Sequence, residues 1–396
     1  MFASFLKQFN TYNDKYGVWV FYIGLFLMII SRYWFNINDE MRWDYSQLRF
    51  LLFKYSQLLL LFRILLFVRK YPLYVLFSIL MIGIFWYSSR LNNERLLLNS
   101  FIIIAASRDA NIKYISPLYL LAFLIILLIS LLSYNFGWTE DILKHRIDLV
   151  GHSWGFSNPN TLAFITMMIA LLALHNWNIK NTIVIWITCW TTACLVGLST
   201  LCLTSIIILL LFPLFFYLLK HHHITSRSLA LLPWLFLLAS IILSCYYGPS
   251  YGETTFESRF SIPALVYQKH GLSLFGQDYG FVGFGKAWRT GLQPLSVDNI
   301  YLHLFLCNGV LIALFIFLFL SHYLYRIGKM EDPFLTSSAI GLTLAGLMEN
   351  IPLDALTNFF LLYYFHHFTP FPKQVQKGLA IAIVALAVLA IINYLE

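Results

Sequence analysis

Long runs without a charged residue set the rhythm of this chain. No Asp, Glu, Lys or Arg occurs between Lys113 and Glu140, or between Asp148 and Lys180. A helix needs about 20 residues to cross the hydrocarbon of a bilayer, so these runs predict spans near 116–134 and 158–175. A third run, between Lys180 and Lys220, holds 39 uncharged residues. At the helical rise it would extend about 58 Å, enough for two crossings. The predicted break lies at Gly197-Leu198-Ser199-Thr200.

Further spans are predicted at 229–247 and 300–321, and earlier at 17–34 and 71–88. The stretch 51–68 carries Lys54 and Arg63, so one of its faces must be shielded from lipid. The piece 96–107 is short enough to be re-entrant. Three more spans are expected near 335–350, 355–368 and 377–394. The result is an all-α polytopic integral membrane protein with about 11–13 transmembrane helices. It forms a single membrane domain over 1–396, with one large, partly structured extracellular loop at 248–298 and a smaller one at 135–157.

Composition agrees with this pattern. Of 396 residues, 60% are hydrophobic and 11% charged, against roughly 25% charged in soluble domains. Mean hydropathy is +0.74. A soluble fold, a disordered chain and a disulfide scaffold are all excluded by this balance. Phe, Tyr and Trp make up 18% of the chain, and rings with a polar handle suit the membrane interface. No signal-peptide cleavage site is evident, so the first helix is expected to act as an uncleaved signal-anchor. Cys189, Cys194, Cys202, Cys245 and Cys307 all lie in apolar stretches and read as small hydrophobes.

The net charge of +8 is read as cytoplasmic anchoring rather than nucleic-acid binding. Lys220 and Arg227, Arg326 and Lys329, and Lys373 and Lys377 sit in loops separated by an even number of crossings. All three loops can therefore be cytoplasmic together, which puts 135–157 and 248–298 outside. The triple histidine 221–223 has no nearby carboxylate or cysteine in sequence, so it makes a poor metal site.

Candidate chemistry collects in and around the long loop. Its stretch SIPALVYQKHGLSLFGQDYG mixes apolar, aromatic and turn residues, as an ordered element packed on a bundle would. Gly276 to Gly285 is glycine-rich, but it lacks the strand and helix that a dinucleotide site requires. Arg259, Lys269 and Arg289 lie in this loop, where the positive-inside bias gives no reason for them. Arg259 and Arg289 are read either as solvated charges or as bidentate phosphate binders. Asp298 opens the next span, either as an N-cap or as a carboxylate acting on substrate. Asn299, Tyr301 and His303 follow it, with Asn299 and His303 four residues apart on one helix face. Glu349, Asn350, Asp354 and Asn358 form a last polar group, explained by capping or by catalysis.

Three motifs resemble the bacterial O-antigen polymerase and ligase superfamily, especially the capsular and exopolysaccharide repeat-unit polymerases of Gram-positive bacteria. Gly155-Phe156-Ser157-Asn158-Pro159-Asn160-Thr161 is similar to that family's GFxNPN element. Glu257-Ser258-Arg259-Phe260, followed by Gly271-Leu272-Ser273-Leu274-Phe275-Gly276, is similar to the start of its large external loop. Val297-Asp298-Asn299-Ile300-Tyr301-Leu302 is similar to its VDNxYL element, and Glu349 and Asn358 look like its late membrane positions. The layout agrees from about residue 50 to 396. One departure is Gly197 to Leu201, where family members often carry Ser-Arg; one phosphate-binding group has no counterpart here. Asp298-Asn299, in place of the ligase branch's His-Asn, leans toward the polymerases.

The resemblance implies a cell-membrane glycosyltransferase that polymerises repeat units carried on undecaprenyl diphosphate, with no cofactor, metal or nucleotide sugar. It implies Arg259, Asp298, Arg289 and Glu349 as catalytic residues, Arg259 foremost. Asn158, Asn160, Lys269, Asn299, Tyr301, His303 and Asn358 would bind substrate. Membrane lipids, a flippase and a chain-length regulator are the other expected partners, and nucleic acid is not. The alternatives are a lipid-linked glycan ligase, a flippase or transporter of lipid-linked oligosaccharides, and a non-enzymatic scaffold.

Overall fold

A computed structural model describes residues 2–33, 46–66, 71–139, 141, 143–146, 149–156, 158–222, 224–252, 254–282 and 295–363. Among them, seven helices are long and apolar enough to cross a membrane. They are α3 (Pro72–Leu91), α5 (Ile112–Asn135), α6 (Pro159–Asn176), α7 (Thr182–Thr200), α8 (Leu203–His221), α9 (Ser226–Tyr247) and α12 (Val310–Lys329). Shorter apolar stretches occur in α1 (Phe2–Tyr33), α4 (Leu96–Ala106) and α13 (Pro333–Ala345). Helices α2 (Ser46–Leu65), α10 (Thr255–His270) and α11 (Ile300–His303) are the other α-helices among the described residues. The protein is a polytopic, largely helical membrane protein. The expected span at 377–394, and the end of the one at 355–368, lie outside the described residues.

Lipid tails are as apolar as leucine, so helices in a bilayer associate through close packing and hydrogen bonds rather than water exclusion. Small residues make that approach possible. Gly24 of α1 lies against Leu60 of α2, Gly328 of α12 against Leu229 and Ser226 of α9, and Gly341 of α13 against Ile208 of α8. The large side chains of Leu128, Leu198, Leu231, Ile242 and Leu318 point away from the bundle and remain exposed.

The uncharged run 181–219 divides as expected into two antiparallel helices. The break falls just after the predicted one, where Leu201 takes a left-handed conformation (φ 54°) between α7 and α8. Between α5 and α6 lies a two-stranded antiparallel ribbon, β1 (Lys144–Arg146) and β2 (Leu149–Gly151), with Lys144 opposite Gly151. Asp141 organises the chain beside it, accepting hydrogen bonds from the Ser153 and Trp154 amides and contacting His152 Nδ1 at 2.5 Å.

Two predicted continuous helices are broken. The span expected at 300–321 is split into α11, a π-helical turn at Leu304–Asn308, and α12. Gly309 sits at the break with φ 93°, and a Cβ there would run into the Leu274 and Gly276 backbones. Freed backbone groups in a membrane must find partners, and the segment 271–277 supplies them. The amides of Val310 and Leu311 donate to the carbonyls of Ser273 and Leu274, and the Cys307 carbonyl accepts from the Gln277 amide. The Gln277 side chain also donates to the carbonyls of Gly271 and Leu306. The long loop is thus stitched into the bundle by the backbone that the broken helix leaves unpaired.

The second departure follows α13, which ends at Ala345 rather than near 350. From there to Tyr363 the chain is turns and two short 3-10 stretches, yet Pro352 to Tyr363 is buried throughout. Its carbonyls are met by side chains from surrounding helices and from the segment itself. Tyr119 donates to the Ala355 carbonyl, Tyr323 to that of Phe360, and Asn358 to that of Pro352. Ser100 accepts from the Ala355 amide. This is irregular backbone enclosed by protein, the form in which a membrane domain tolerates it.

Candidate functional site

Four residues from distant parts of the sequence meet where α6 and α11 begin and α13 ends. Arg259 is carried on α10, whose start is fixed by a capping box. Thr254 accepts from the Glu257 amide, and the Glu257 carboxylate accepts from the Thr254 amide. One turn of helix then directs the guanidinium into the bundle, with only 13% of the side chain exposed. It pairs with Asp298, and its second nitrogen lies 3.6 Å from Glu349 Oε1. Asn160, in the first turn of α6, donates to the same Glu349 oxygen at 3.1 Å. Asp298 also accepts from the Ser296 hydroxyl.

One guanidinium thus faces two carboxylates. The arrangement can exchange partners. Arginine presents five donors in a planar fork, so an incoming phosphate can take up donors now given to carboxylates. A carboxylate released in this way becomes a base.

The N-cap role goes not to Asp298 but to its neighbour. Asn299 accepts from the Tyr301 and Leu302 amides and donates to Ser240 of α9, fully buried. A helix cap needs a side chain turned back over its own first turn, and Arg259 draws Asp298 the other way. Tyr301 donates to the Thr343 carbonyl, and Asn358 caps a 3-10 turn while donating to Pro352. Asn158 caps α6. These four residues brace the elements that carry the cluster. Lys269 is exposed in the last turn of α10. Arg289 lies outside the described residues.

His303 is tied to a residue that the sequence reading did not single out. Its Nε2 lies 2.6 Å from Glu94 Oε2, and its Nδ1 lies 2.9 Å from the Val297 carbonyl. A carbonyl and a carboxylate both accept, so the ring satisfies them together as an imidazolium. Burial opposes ionisation of Glu94. The charge and hydrogen bond of His303 outweigh it, with help from Arg32, and hold the carboxyl below its ordinary range. The pair fastens the turn between α3 and α4 to the residues flanking Asp298.

Beside this pair opens a cavity of about 610 Å³ lined by Arg32, Glu94, Asn99, Thr161, Asn350 and Asp354, among others. It adjoins the arginine cluster through two consecutive pairs, Asn160-Thr161 and Glu349-Asn350. The polar run Asn92-Asn93-Glu94-Arg95, set between two apolar stretches, was the signal in the sequence that could have led to it. Among the described residues, no group of three His, Cys, Asp or Glu side chains is placed to hold a metal ion. Comparison with protein-family models, curated proteins and solved structures finds no match to this chain.

Proposed function

We propose that this protein polymerises oligosaccharide repeat units carried on polyprenyl diphosphate, at the outer leaflet of the cell membrane. The observation that carries the reading is Arg259 joined to Asp298 and Glu349, a cation between two carboxylates at the mouths of membrane helices. The motif resemblance supports it, since all three residues belong to the segments that carry that resemblance. Sidedness follows from charge. Lys180, Lys220, Arg227, Arg326 and Lys329 occupy the turns at the opposite end of these helices, and basic turns face the cytoplasm.

In the proposed reaction Arg259 leaves its carboxylates for the diphosphate of the donor. The bond between the donor's anomeric carbon and the diphosphate oxygen breaks, and the electron pair leaves with the diphosphate. An acceptor hydroxyl, on a second lipid-linked repeat unit, forms the new bond to that carbon. Its proton passes to Asp298 or Glu349. Stabilising the leaving diphosphate is the largest single task, and fixed charge in a water-poor site performs it well.

Purified protein given a lipid-diphosphate repeat unit should build a ladder of longer lipid-linked glycans. Arg259→Ala should abolish the ladder while the protein still inserts and folds. An unchanged ladder in that variant, or no product beyond the single unit with the wild type, rejects the reading. A second reading, flipping of the same lipid-linked glycans, is favoured by the broken path at 304–309 and 346–363, because transporters build midplane sites from discontinuous helices. Transfer of a fluorescent lipid-linked glycan across proteoliposomes, without any chain growth, would select it.

A further inference from the structure

We infer that the 610 Å³ cavity beside Glu94 is a carbohydrate subsite, one that binds the sugar rings of the acceptor rather than any phosphate. The identity of its occupant as acceptor rests on the proposed polymerisation; the sugar binding itself is separately measurable. The volume lies within the range of small-molecule sites, about 300–1,000 Å³.

The lining chooses the ligand class. The Asn99 side-chain oxygen accepts from Gln57 at 2.6 Å, which fixes the amide and leaves its nitrogen without a hydrogen bond among the described residues. The Asn350 amide and the Thr161 hydroxyl likewise have no hydrogen-bond partner among them. Asp354 is buried; it accepts from the Leu356 amide at 3.0 Å and the Thr357 hydroxyl at 3.4 Å, and a carboxylate accommodates more donors than two. The cavity therefore offers both donors and acceptors. A hydroxyl both donates and accepts, so a polyol can satisfy every one of these groups. A phosphate only accepts; it could take up Arg32 and Arg95, which also line the cavity, but it would leave the Asp354 and Glu94 carboxylates without a donor.

The lining also includes the aromatic rings of Phe164 and Phe281. A sugar ring suits both kinds of group, with hydroxyls at its edge and C–H bonds on its faces. Position completes the assignment. Asn350 and Thr161 each follow a residue of the arginine cluster, so a sugar held in the cavity would extend a hydroxyl toward Glu349.

The test uses the intact protein in detergent with lactose, cellobiose and diacetylchitobiose as sugar probes, and inorganic pyrophosphate as the anion probe. Saturation-transfer NMR should report binding of at least one disaccharide by the wild type. Thr161→Trp, which fills the cavity, should remove that signal, and Asn350→Ala should weaken it at least several-fold with an unchanged unfolding temperature. Phosphorus line broadening by pyrophosphate should persist in both variants and vanish in Arg259→Ala. No signal from any disaccharide, an undiminished signal in Thr161→Trp, or loss of pyrophosphate binding in Asn350→Ala overturns the assignment. A wild type that binds disaccharide but builds no ladder removes the polymerisation reading and leaves the subsite standing.

Discussion

At the end of the bundle where α5, α7, α9 and α13 begin, each helix starts on a side-chain cap. Asn111 accepts from the Lys113 amide, Asn181 from that of Ile183, Thr225 from that of Ser228, and Asp332 from those of Phe334 and Leu335. The charged residues of that end are mostly basic and sit in short turns. At the opposite end the helices break, and the charges of both signs are drawn inward against one another. Arg259 faces Asp298 and Glu349, and His303 faces Glu94. The first end uses local hydrogen bonds that any helix start would want. The second joins residues up to 209 positions apart, and none of its ion pairs is required by a helix. Desolvating charge is costly, and at this end the cost is offset by opposite charges drawn together, Arg259 with Asp298 and Glu349 and His303 with Glu94, which makes it the candidate site.

The strongest way to break this comparison is to substitute matched arginines at the two ends. Arg259→Ala should lower ladder synthesis by about 10²–10³-fold, the loss that follows removal of one group aimed at developing charge. Arg259→Lys should fail nearly as badly, because an ammonium lacks the planar fork. Arg227→Ala, in the first turn of α9, should leave ladder length and rate within twofold. Equal losses at both arginines would show that the second end has no special role.

The next contrast sets glycines against each other. Gly309→Val puts a branched side chain at φ 93° into the Leu274 and Gly276 backbones. It should destabilise by roughly 3 kcal/mol or more, combining strain and collision, and should detach the segment 271–277. Limited proteolysis within that segment would report the detachment. Gly83→Ala, in the middle of α3 with open space around it, should be neutral or slightly stabilising.

Much of the first end could be read from the chain. Spans α5 to α9 fall where uncharged runs of the right length predict them, and the alternation of basic turns follows. The cluster residues Arg259, Asp298, Glu349 and Asn160 could each be named, but not joined. Joining them depends on α10 turning back over the bundle, which no local pattern encodes. The breaks were invisible for a different reason. Residues 300–321 are predominantly apolar and carry no Asp, Glu, Lys or Arg, and hydropathy does not distinguish a helix from a buried irregular path. Glu94 was passed over because its partner, His303, lies 209 residues away.

The acid side of the pH dependence sharpens the comparison further. The Glu94 carboxyl is held below its ordinary range by His303, despite burial. A carboxyl with a lowered folded value contributes its full stability above the unfolded value, about 4.3, and loses it as pH falls through the lowered one. Wild type should therefore lose unfolding temperature below about pH 4.5, and Glu94→Gln should start lower and fall less over the same interval. Parallel curves would show that the pair contributes nothing.

The smallest expected effect belongs to the capped end. Asn181→Ala removes the side chain that accepts from the Ile183 amide at 3.0 Å, and caps of this kind contribute about 0.5–2 kcal/mol. The site is exposed, so water replaces part of what is lost and the cost should lie near the lower bound. Ladder synthesis and disaccharide binding should not change, because α7 starts at the far end from the cluster. A slight fall in unfolding temperature with intact activity would show that the two ends are energetically separable. A large loss of activity from so small a change would instead mean that α7 transmits strain along its length to Thr200, whose carbonyl packs against Gly151 beside the 141–154 turn. The activity of this one variant thus decides whether the capped end is only a support or part of the machinery.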